Sequence, residues 1–463
     1  MVADRDLTVL SGLLHGELIL PGGPDYDGAR RLWNGVFDPR PAAIARCVDA
    51  SDVATTIRFG RERGLPIAIR GGGHNVAGTG SADGGLVCDL SAMRSVEVDP
   101  DRREAVVGGG ARLGDVDAAT QAHGLAVPLG IVSETGVAGL ALSGGMGWLR
   151  RRHGLTCDNL ISADLVTADG EVVTASEDAD PELLWGLRGG GGNFGVVTSF
   201  TFRAHPVGPD VFLCFILYPA EHGVEVLDGV GAFSLSAPDD VAPLAFFGRV
   251  PQAEAFPPDA YGRPFVAVLC VHPDGPGKGE RALRPLRELG RPIVDLSEAM
   301  PYVDAQKILD EDYPAGLRYY WKSIELTGLP GDAIGAMMGR ADGAPSDLST
   351  IDIWFQGGAM AAVAPVATAY GDRNAPILIG VEANWELADH DDANVAWARG
   401  CVEDLRPFST GGTYLNFPGF LDERDAQVQA AYGANLDRLA RLKRRYDPEN
   451  VFRVNHNVAP APA

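Results

Sequence analysis

Short apolar runs alternate with short segments of helical periodicity along the first two hundred residues. A helix is predicted over 52–63 because its apolar positions fall on one side, and Ser51 or Asp52 is the predicted N-cap. Apolar or alternating runs predict strands at 66–69, 85–90, 95–98, 104–107, 160–167, 171–175 and 196–203, with further helices at 112–123 and 181–187. Small helices that interrupt strands indicate an α+β arrangement.

The pattern changes at about residue 205. Longer strand-like segments are separated by proline-rich loops and helices; the strands are predicted at 211–218, 265–271, 318–324, 350–355 and 377–385, and the helices at 222–233, 279–289 and 391–405. We therefore expect one antiparallel sheet backed by helices. A last helix, rich in Ala, Leu and Arg, is predicted over 423–446, and Asp447-Pro448 ends it.

Composition narrows the class of protein. A chain of 463 residues exceeds what one hydrophobic core usually serves, so two domains are expected. The net charge of −23 repels phosphate backbones and anionic lipids, which disfavours a nucleic-acid or membrane-surface partner. The sequence contains no apolar run long enough for a spanning helix, and its first residues do not resemble a secretory signal. The six cysteines form no CxxC pair, which is typical of reduced thiols in a cytoplasmic protein.

Two enzyme classes are disfavoured by the motifs that the sequence lacks. The nine histidines show no HxxxH or HxH spacing, so no metal site is predicted. The sequence contains no GxSxG elbow and no convincing Ser/His/Asp constellation, which argues against a hydrolase.

Glycine is unusually frequent, with 59 residues, and it clusters at 70–80, 136–147 and 189–195. The third cluster matches the GxGxxG pattern. A Rossmann fingerprint requires a strand before the glycines and a helix after them, whereas the predicted order here is the reverse. The match therefore does not indicate a Rossmann site.

Gly71, Gly72 and Gly73 do follow a predicted strand, and their consecutive backbone N–H groups can form a nest for a pyrophosphate. Arg70, at the edge of this nest, either assists phosphate binding or points to solvent. His74 follows directly, where a neutral imidazole can act as a nucleophile toward a cofactor. The alternative for His74 is a turn histidine or a helix cap.

Four stretches carry a resemblance that extends over both ends of the chain. They are RGGGHNVAGTG (70–80), TGVAGLALSGGMGWLRRRHGLTCDNL (135–160), LLWGLRGGGGNFGVVTSF (183–200) and YGANLDRLARLKRRYDPENVFRVNHNV (432–458). Together they resemble the FAD-linked oxidases of the berberine bridge enzyme type, in the vanillyl-alcohol oxidase superfamily. The resemblance implies a two-part FAD-binding domain of that type (residues 1–204 and 420–463) and a substrate-binding domain (residues 205–419) with an antiparallel sheet backed by helices.

The resemblance also implies how FAD is held. It identifies His74 as the residue bonded to the 8α-methyl group of FAD. Doubly bonded members carry a cysteine where this chain has Val132, so a single covalent bond is expected. The residues expected to contact FAD are Arg70, Gly71, Gly72, Gly73, His74, Asn75, Ser133, Thr135, Gly136, Gly139, Gly195, Val197, Asn455 and Asn457.

The resemblance implies a specific role or position for three of these residues. Thr135 lies at the position that gates oxygen access to the flavin in this family, and the alternative is a β-branched residue packed below the cofactor. Asn455 and Asn457 are expected beside the isoalloxazine ring or, alternatively, in a capped loop after the last helix.

The implied reaction removes a hydride from a C–H bond next to N or O, passes it to FAD and reduces O2 to H2O2. Tyr414 is the candidate base and Lys322 the candidate group for lowering its pKa, although both residues also fit a structural role. The expected substrate pocket contains Phe246, Phe247, Tyr320, Trp321 and Gln356. Singly bonded members of the family tend to act on small or apolar substrates, so an amine, an alcohol or an intermediate of secondary metabolism is preferred over a sugar.

Two alternative functions also involve bound flavin but differ in what the flavin does. A flavin-dependent monooxygenase can share the fold and Thr135, and it consumes oxygen without stoichiometric peroxide. A noncatalytic flavin-binding protein holds FAD that no substrate reduces. Apart from a small-molecule substrate and O2, no partner is expected, and the chain is expected to be a monomer or a homodimer.

Overall fold

The structure is a computed structural model, and it describes residues 4–421 and 424–462. Its first sheet contains β1 (Glu17–Ile19), β2 (Ala43–Arg46), β3 (Ile67–Arg70) and β4 (Leu86–Asp89), in the order β1-β2-β4-β3. Strand β4 pairs in parallel with both β2 and β3. The helices of this part are α1 (Asp4–Leu13), α2 (Tyr26–Ala29) and α3 (Ala50–Glu62).

Helix α3 corresponds to the helix predicted over 52–63. Its N-cap is Asp49, whose carboxylate accepts a hydrogen bond from the Asp52 amide at 2.9 Å, so the predicted caps Ser51 and Asp52 are wrong. The Asp52 carboxylate accepts instead from three backbone amides in the chain before the helix. This carboxylate therefore ties the preceding loops to the helix rather than capping it.

A second sheet is entirely antiparallel. Its strands, in the spatial order β5-β6-β10-β8-β9, are β5 (Val96–Asp99), β6 (Glu104–Gly108), β8 (Leu160–Val166), β9 (Val172–Ser176) and β10 (Val196–Arg203). The short strands β7 (Leu125–Ala126) and β11 (His205–Pro206) pair with each other. The helices of this part are α4 (Leu113–Gln121), α5 (Val137–Leu142), α6 (Arg150–His153) and α7 (Pro181–Leu187).

The third sheet has eight strands, all in antiparallel pairs. They are β12 (Asp210–Pro219), β13 (Leu244–Arg249), β14 (Pro264–His272), β15 (Val294–Asp295), β16 (Glu298–Pro301), β17 (Arg318–Leu326), β18 (Thr350–Phe355) and β19 (Ile377–Trp385). The order is β15-β12-β14-β13-β18-β19-β17, and β16 also pairs with β12. The accompanying helices are α8 (Gly223–Ser236), α9 (Pro276–Arg287), α10 (Tyr302–Ala305), α11 (Gly331–Asp342), α12 (Ala359–Ala362) and α13 (Asp391–Leu405).

The two faces of this large sheet have different neighbours. On the helix face, side chains such as Ile353 and Val381 share one core with helices α8, α11 and α13. On the opposite face, which we call the cavity face, Trp354 and Leu378 belong to a separate core. The alternation of side chains along each strand produces this division. The structure therefore confirms the α+β class and the antiparallel sheet backed by helices.

The C-terminal segment returns to the second sheet. Helix α14 (Arg424–Tyr432) and helix α15 (Leu436–Tyr446) replace the single predicted helix over 423–446, and residue 423 lies outside the described residues. The break falls at Gly433, which has a φ of +48°. Side chains of α15 join the core beneath α7. The domain boundaries at 204/205 and 419/420 stay a prediction. Among the described residues, no helix is both long and apolar enough to cross a membrane.

Candidate active site

A cavity of about 260 Å³ lies between the glycine-rich segments and the cavity face of the large sheet. Most of the predicted FAD contacts line it: Arg70, Gly71, Gly72, Gly73, His74, Asn75, Thr135, Gly136, Gly139, Gly195, Val197 and Asn455. The opposite wall contains Tyr313, Trp321, Trp354, Glu382, Tyr414, Asn416 and Phe417. Folding thus brings residues from both ends of the chain and from the large sheet around one space.

Two of the glycine segments cross with their backbones in contact. A Cβ atom on Gly72 would lie 2.5 Å from the backbone nitrogen of Gly136, and a Cβ on Gly136 would lie 2.3 Å from that of Gly72. Neither position accepts a side chain unless the backbones separate. Gly73 also requires glycine's freedom, because its φ is +69°. The crossing exposes backbone rather than side chains to the cavity, as a site for a polar cofactor requires.

Arg70 lies in the cavity wall, but its guanidinium group is engaged elsewhere. It donates to the Asp89 carboxylate at 2.8 Å and to the backbone oxygen of Ala29 at 2.6 Å. Asp89 is the residue beside Arg70 in the parallel pairing of β3 with β4. The expected solvent-facing side chain is therefore wrong, whereas phosphate binding by Arg70 stays a prediction. The buried pair instead fixes the end of the strand that carries the glycines.

His74 follows these glycines in the cavity wall, and its Nε2 atom is buried without a hydrogen-bond partner. The indole ring of Trp33 stacks on the imidazole, with 3.9 Å between ring centroids and 20° between planes. Burial, helped by the positive charge of Arg112, lowers the pKa of His74 to about 3. The imidazole is therefore neutral near pH 7 and keeps a nitrogen lone pair for attack on an electrophilic carbon.

Tyr414 reaches the cavity from the loop after the large sheet. Its hydroxyl oxygen accepts hydrogen bonds from the Gly145 amide at 3.2 Å and from the Asn416 side-chain amide at 2.7 Å. These donors favour the ionised form, but burial outweighs them and raises the pKa of Tyr414 above its ordinary range. Tyr414 therefore keeps its proton near neutral pH.

Lys322 does not lie near this hydroxyl group. Trp321 points from β17 into the cavity, and the alternation of the strand directs Lys322 to the helix face. The residues on either side of it in that alternation, Tyr320 and Ile324, belong to the helix-face core. The predicted role of Lys322 in lowering the pKa of Tyr414 is therefore wrong.

The predicted substrate pocket is largely wrong, because only Trp321 among its five residues lines the cavity. Tyr320 and Phe247 are buried in the helix-face core. Phe246 lies on the cavity face but packs against other phenylalanines away from the cavity. Gln356 is buried at the end of β18, where its backbone oxygen accepts from Arg151 at 2.9 Å. Strand faces, which the resemblance did not specify, account for the errors at Tyr320 and Phe247.

Two predicted FAD contacts also lie outside the cavity wall. The Ser133 amide donates to the Asp310 carboxylate at 2.8 Å, so Ser133 connects its loop to the predicted substrate-binding domain. Asn457 lies two residues beyond Asn455, and only the latter lines the cavity. Val132 does line it, and no cysteine lies among the described lining residues.

Glu382 is a cavity residue that the sequence reading missed. It is 2% exposed, and its Oε2 atom accepts a hydrogen bond from the Tyr313 hydroxyl at 2.7 Å. Burial, and then the neighbouring Asp352 carboxylate, raise the pKa of Glu382 well above its ordinary value. The one charged residue within the largely apolar strand 377–385 was the available signal, since strongly perturbed carboxyl groups cluster at functional sites.

The cavity fits FAD in its polar groups as well as in its backbone. Besides His74 Nε2, the Asn455 Oδ1 atom and both ring nitrogens of His456 are buried in the cavity wall without protein partners. Buried polar atoms are nearly always hydrogen-bonded, so their clustering here indicates a polar ligand. An FAD molecule offers many such donors and acceptors beside a pyrophosphate.

Comparison with known proteins assigns the family. Residues 41–176 match the family model described as FAD binding domain, and residues 413–459 match the one described as berberine and berberine like. The (R)-6-hydroxynicotine oxidase of Paenarthrobacter nicotinovorans is 32% identical over 464 residues, covering 96% of this chain and 97% of that protein. An uncharacterized FAD-linked oxidoreductase of Bacillus subtilis is also 32% identical, over 457 residues and the same shares of both chains.

A solved structure shows the same likeness in three dimensions. The 6-hydroxy-D-nicotine oxidase of Arthrobacter nicotinovorans superposes with a TM-score of 0.84 at 29% identity, covering 97% of this chain and 98% of that one. Full-length agreement in sequence and in fold confirms the resemblance read from the glycine-rich and C-terminal segments. This chain belongs to the berberine bridge enzyme-like family of FAD-linked oxidoreductases.

Proposed function

We propose that the protein is an oxidase that holds FAD through one covalent bond, at His74, and oxidises a small or apolar substrate at a C–H bond next to N or O. The observation that carries the proposal is the buried, unpartnered His74 Nε2 atom in the cavity wall. When bound, FAD supplies the hydride acceptor, and O2 takes the electrons to give H2O2. Val132 in the same wall supports the single bond, because its side chain offers no thiol.

The residues of the chain provide the rest of the chemistry. Thr135, small enough to leave space beside it, supports access of oxygen to the cavity. Glu382 is the better candidate base, because it is a carboxyl group in the cavity wall whose raised pKa makes its ionised form a stronger base. Tyr414 keeps its own proton, so we assign it to hydrogen bonding with the substrate or cofactor.

An amine is the substrate class that the cavity favours. Glu382 is the one acidic residue in the described cavity wall, and the aromatic rings of Trp321, Tyr313 and Phe417 lie in the same wall. Aromatic faces attract a cationic ammonium group, and the positive charge of such a group would in turn favour the ionised form of Glu382. The similarity to a 6-hydroxynicotine oxidase supports the same choice.

Acid precipitation tests the covalent bond. Wild-type protein should give a yellow pellet, and His74→Ala should release all flavin to the supernatant. His222→Ala, which alters an exposed histidine, should behave as wild type. A colourless wild-type pellet would contradict the bond to His74.

Peroxide yield tests the oxidase reaction. One H2O2 should form for each substrate molecule oxidised, measured with a coupled peroxidase assay. Oxygen incorporated into the product without stoichiometric peroxide would mean a monooxygenase instead. Flavin that remains oxidised with every amine and alcohol tested would mean a noncatalytic flavin-binding protein.

A further inference from the structure

Trp33 lies in a stack of three rings next to the cavity. One face of its indole contacts the His74 imidazole, with 3.9 Å between centroids, and the other contacts the Tyr319 ring, with 3.7 Å between centroids and 10° between planes. Trp33 itself does not line the cavity. It can therefore influence a ligand there only through the residues that it touches.

The stack contacts an imidazole whose one hydrogen bond among the described residues is to the backbone of His74 itself. A histidine is usually oriented by a hydrogen bond at one of its ring nitrogens. Among the described residues, no other residue hydrogen-bonds to the imidazole of His74, and the Nε2 atom has no partner at all. Contact with the indole face is thus the constraint on the plane of the imidazole that a second residue supplies.

Trp33 is itself held firmly from several directions. Its indole N–H donates to the Tyr313 carbonyl at 2.9 Å, and its backbone oxygen accepts from the Gly316 amide at 2.9 Å. Its own amide donates to the carbonyl of Gly73, the residue before His74, at 3.3 Å. The indole is therefore fastened both to the loop that carries His74 and to the chain leading into β17.

We propose that Trp33 is a positioning residue for covalent attachment of FAD, acting by holding the His74 imidazole in one orientation toward the cavity. The inference rests on the proposed bond at His74. Attachment forms one C–N bond between a ring nitrogen and the 8α carbon, and it removes one hydrogen from the imidazole and one from the methyl group as protons. The two electrons released reduce the flavin, and O2 accepts them as H2O2.

The test compares three variants during attachment. Protein produced under flavin limitation is given excess FAD, and the acid-stable flavin is measured over time together with the total bound flavin before acid. Trp33→Leu removes the stacking face, and Trp33→Phe keeps a smaller one. Trp397→Leu is the matched control, because Trp397 is also buried (6% exposed, against 7% for Trp33) and its indole N–H also donates to a carbonyl at 2.9 Å.

Trp33→Leu should attach FAD roughly tenfold to a hundredfold more slowly than wild type, as expected for a misplaced reactive group, while still binding it noncovalently. Trp33→Phe should attach it at a rate close to wild type, and Trp397→Leu should match wild type. Equal rates in Trp33→Leu and wild type would overturn the proposal. A Trp33→Phe rate as low as that of Trp33→Leu would assign the effect to the indole N–H bond and overturn stacking.

Two further results separate this inference from the function on which it rests. Full release of flavin from the wild-type protein by acid would contradict the proposed covalent bond at His74 itself. If Trp33→Leu binds no FAD, the attachment rate of Tyr319→Leu tests the stack instead, because this variant removes only the outer ring. Severalfold slower attachment in Tyr319→Leu supports the stack, and an unchanged rate overturns it.

Discussion

Glu325 is a buried carboxyl group whose ionisation opposes folding. It lies at the end of β17, is 2% exposed, and its Oε2 atom has no hydrogen-bond partner. Burial, with a smaller effect from the negative charge of Asp372, raises the pKa of Glu325 from 4.5 to about 8. The folded protein therefore keeps this group protonated over a range in which the unfolded chain has lost the proton.

The difference between the folded and unfolded pKa of Glu325 determines how the stability changes with pH. Because the folded pKa lies above the unfolded one, the stabilisation is fully present below pH 4.5 and is lost as the pH rises toward 8. Each pH unit within this window costs about 1.4 kcal/mol, so the free energy of unfolding falls by up to about 5 kcal/mol. Glu325→Gln keeps the size of the side chain and removes the titration.

Calorimetry across a pH series measures the effect. Relative to wild type, Glu325→Gln should gain about 4 °C in Tm between about pH 5 and about pH 8.5, because about three pH units of the window lie in this range and unfolding 463 residues has an entropy of about 1 kcal/mol/K. Glu97→Gln, at an exposed glutamate, is the matched control and should follow wild type. A constant difference in Tm between Glu325→Gln and wild type over this range would refute the reasoning.

Three other substitutions test the site and its support. Glu382→Gln should slow reduction of bound flavin by an amine substrate by roughly 10²- to 10⁴-fold, the usual contribution of a general base. Stopped-flow absorbance measures the rate of reduction. An unchanged rate would exclude Glu382 as the base. Arg373→Met should cost about 3–5 kcal/mol in a denaturant titration, because fully buried Arg373 pairs with Asp158 at 2.6 and 2.9 Å and its loss leaves that carboxylate unpaired. Gly72→Ala should destabilise the fold by about 1–3 kcal/mol and lower the bound flavin, since its Cβ would lie 2.5 Å from the Gly136 nitrogen. Gly12→Ala, with no atom within 4 Å of the added Cβ, should lower neither the stability nor the flavin content.

Local patterns were sufficient to predict most of the elements. The apolar spacing of 52–63 and the long alternating segments after residue 205 correspond to α3 and to the large antiparallel sheet. The reversed order of helix and strand around the third glycine cluster also matches the observed order, with α7 before it and β10 after it. Such features depend on residues a few positions apart, which a single sequence displays directly.

Features that depend on pairing between distant segments were not predictable in this way. The ion pair of Arg70 with Asp89 requires the parallel register of β3 and β4, and the Asp49 cap requires the path of the chain before α3. Lys322 and Trp321 are neighbours in sequence, yet they point to opposite faces of the large sheet. A resemblance can identify such a segment as part of the substrate domain without stating which of its faces meets the cavity.

The two walls of the cavity follow from different physical constraints, and this explains why one was predicted better than the other. The FAD side consists mainly of backbone, so steric contacts such as that between Gly72 and Gly136 restrict the residue type and leave a recognisable motif. The substrate side consists of alternate side chains on β17, β18 and β19, whose opposite neighbours maintain the helix-face core. Changes at residues 321, 354 and 382 therefore leave the helix-face core and the glycine crossing in place. Changes in substrate preference are expected at these positions, whereas changes at their immediate neighbours in the strands should mainly affect stability.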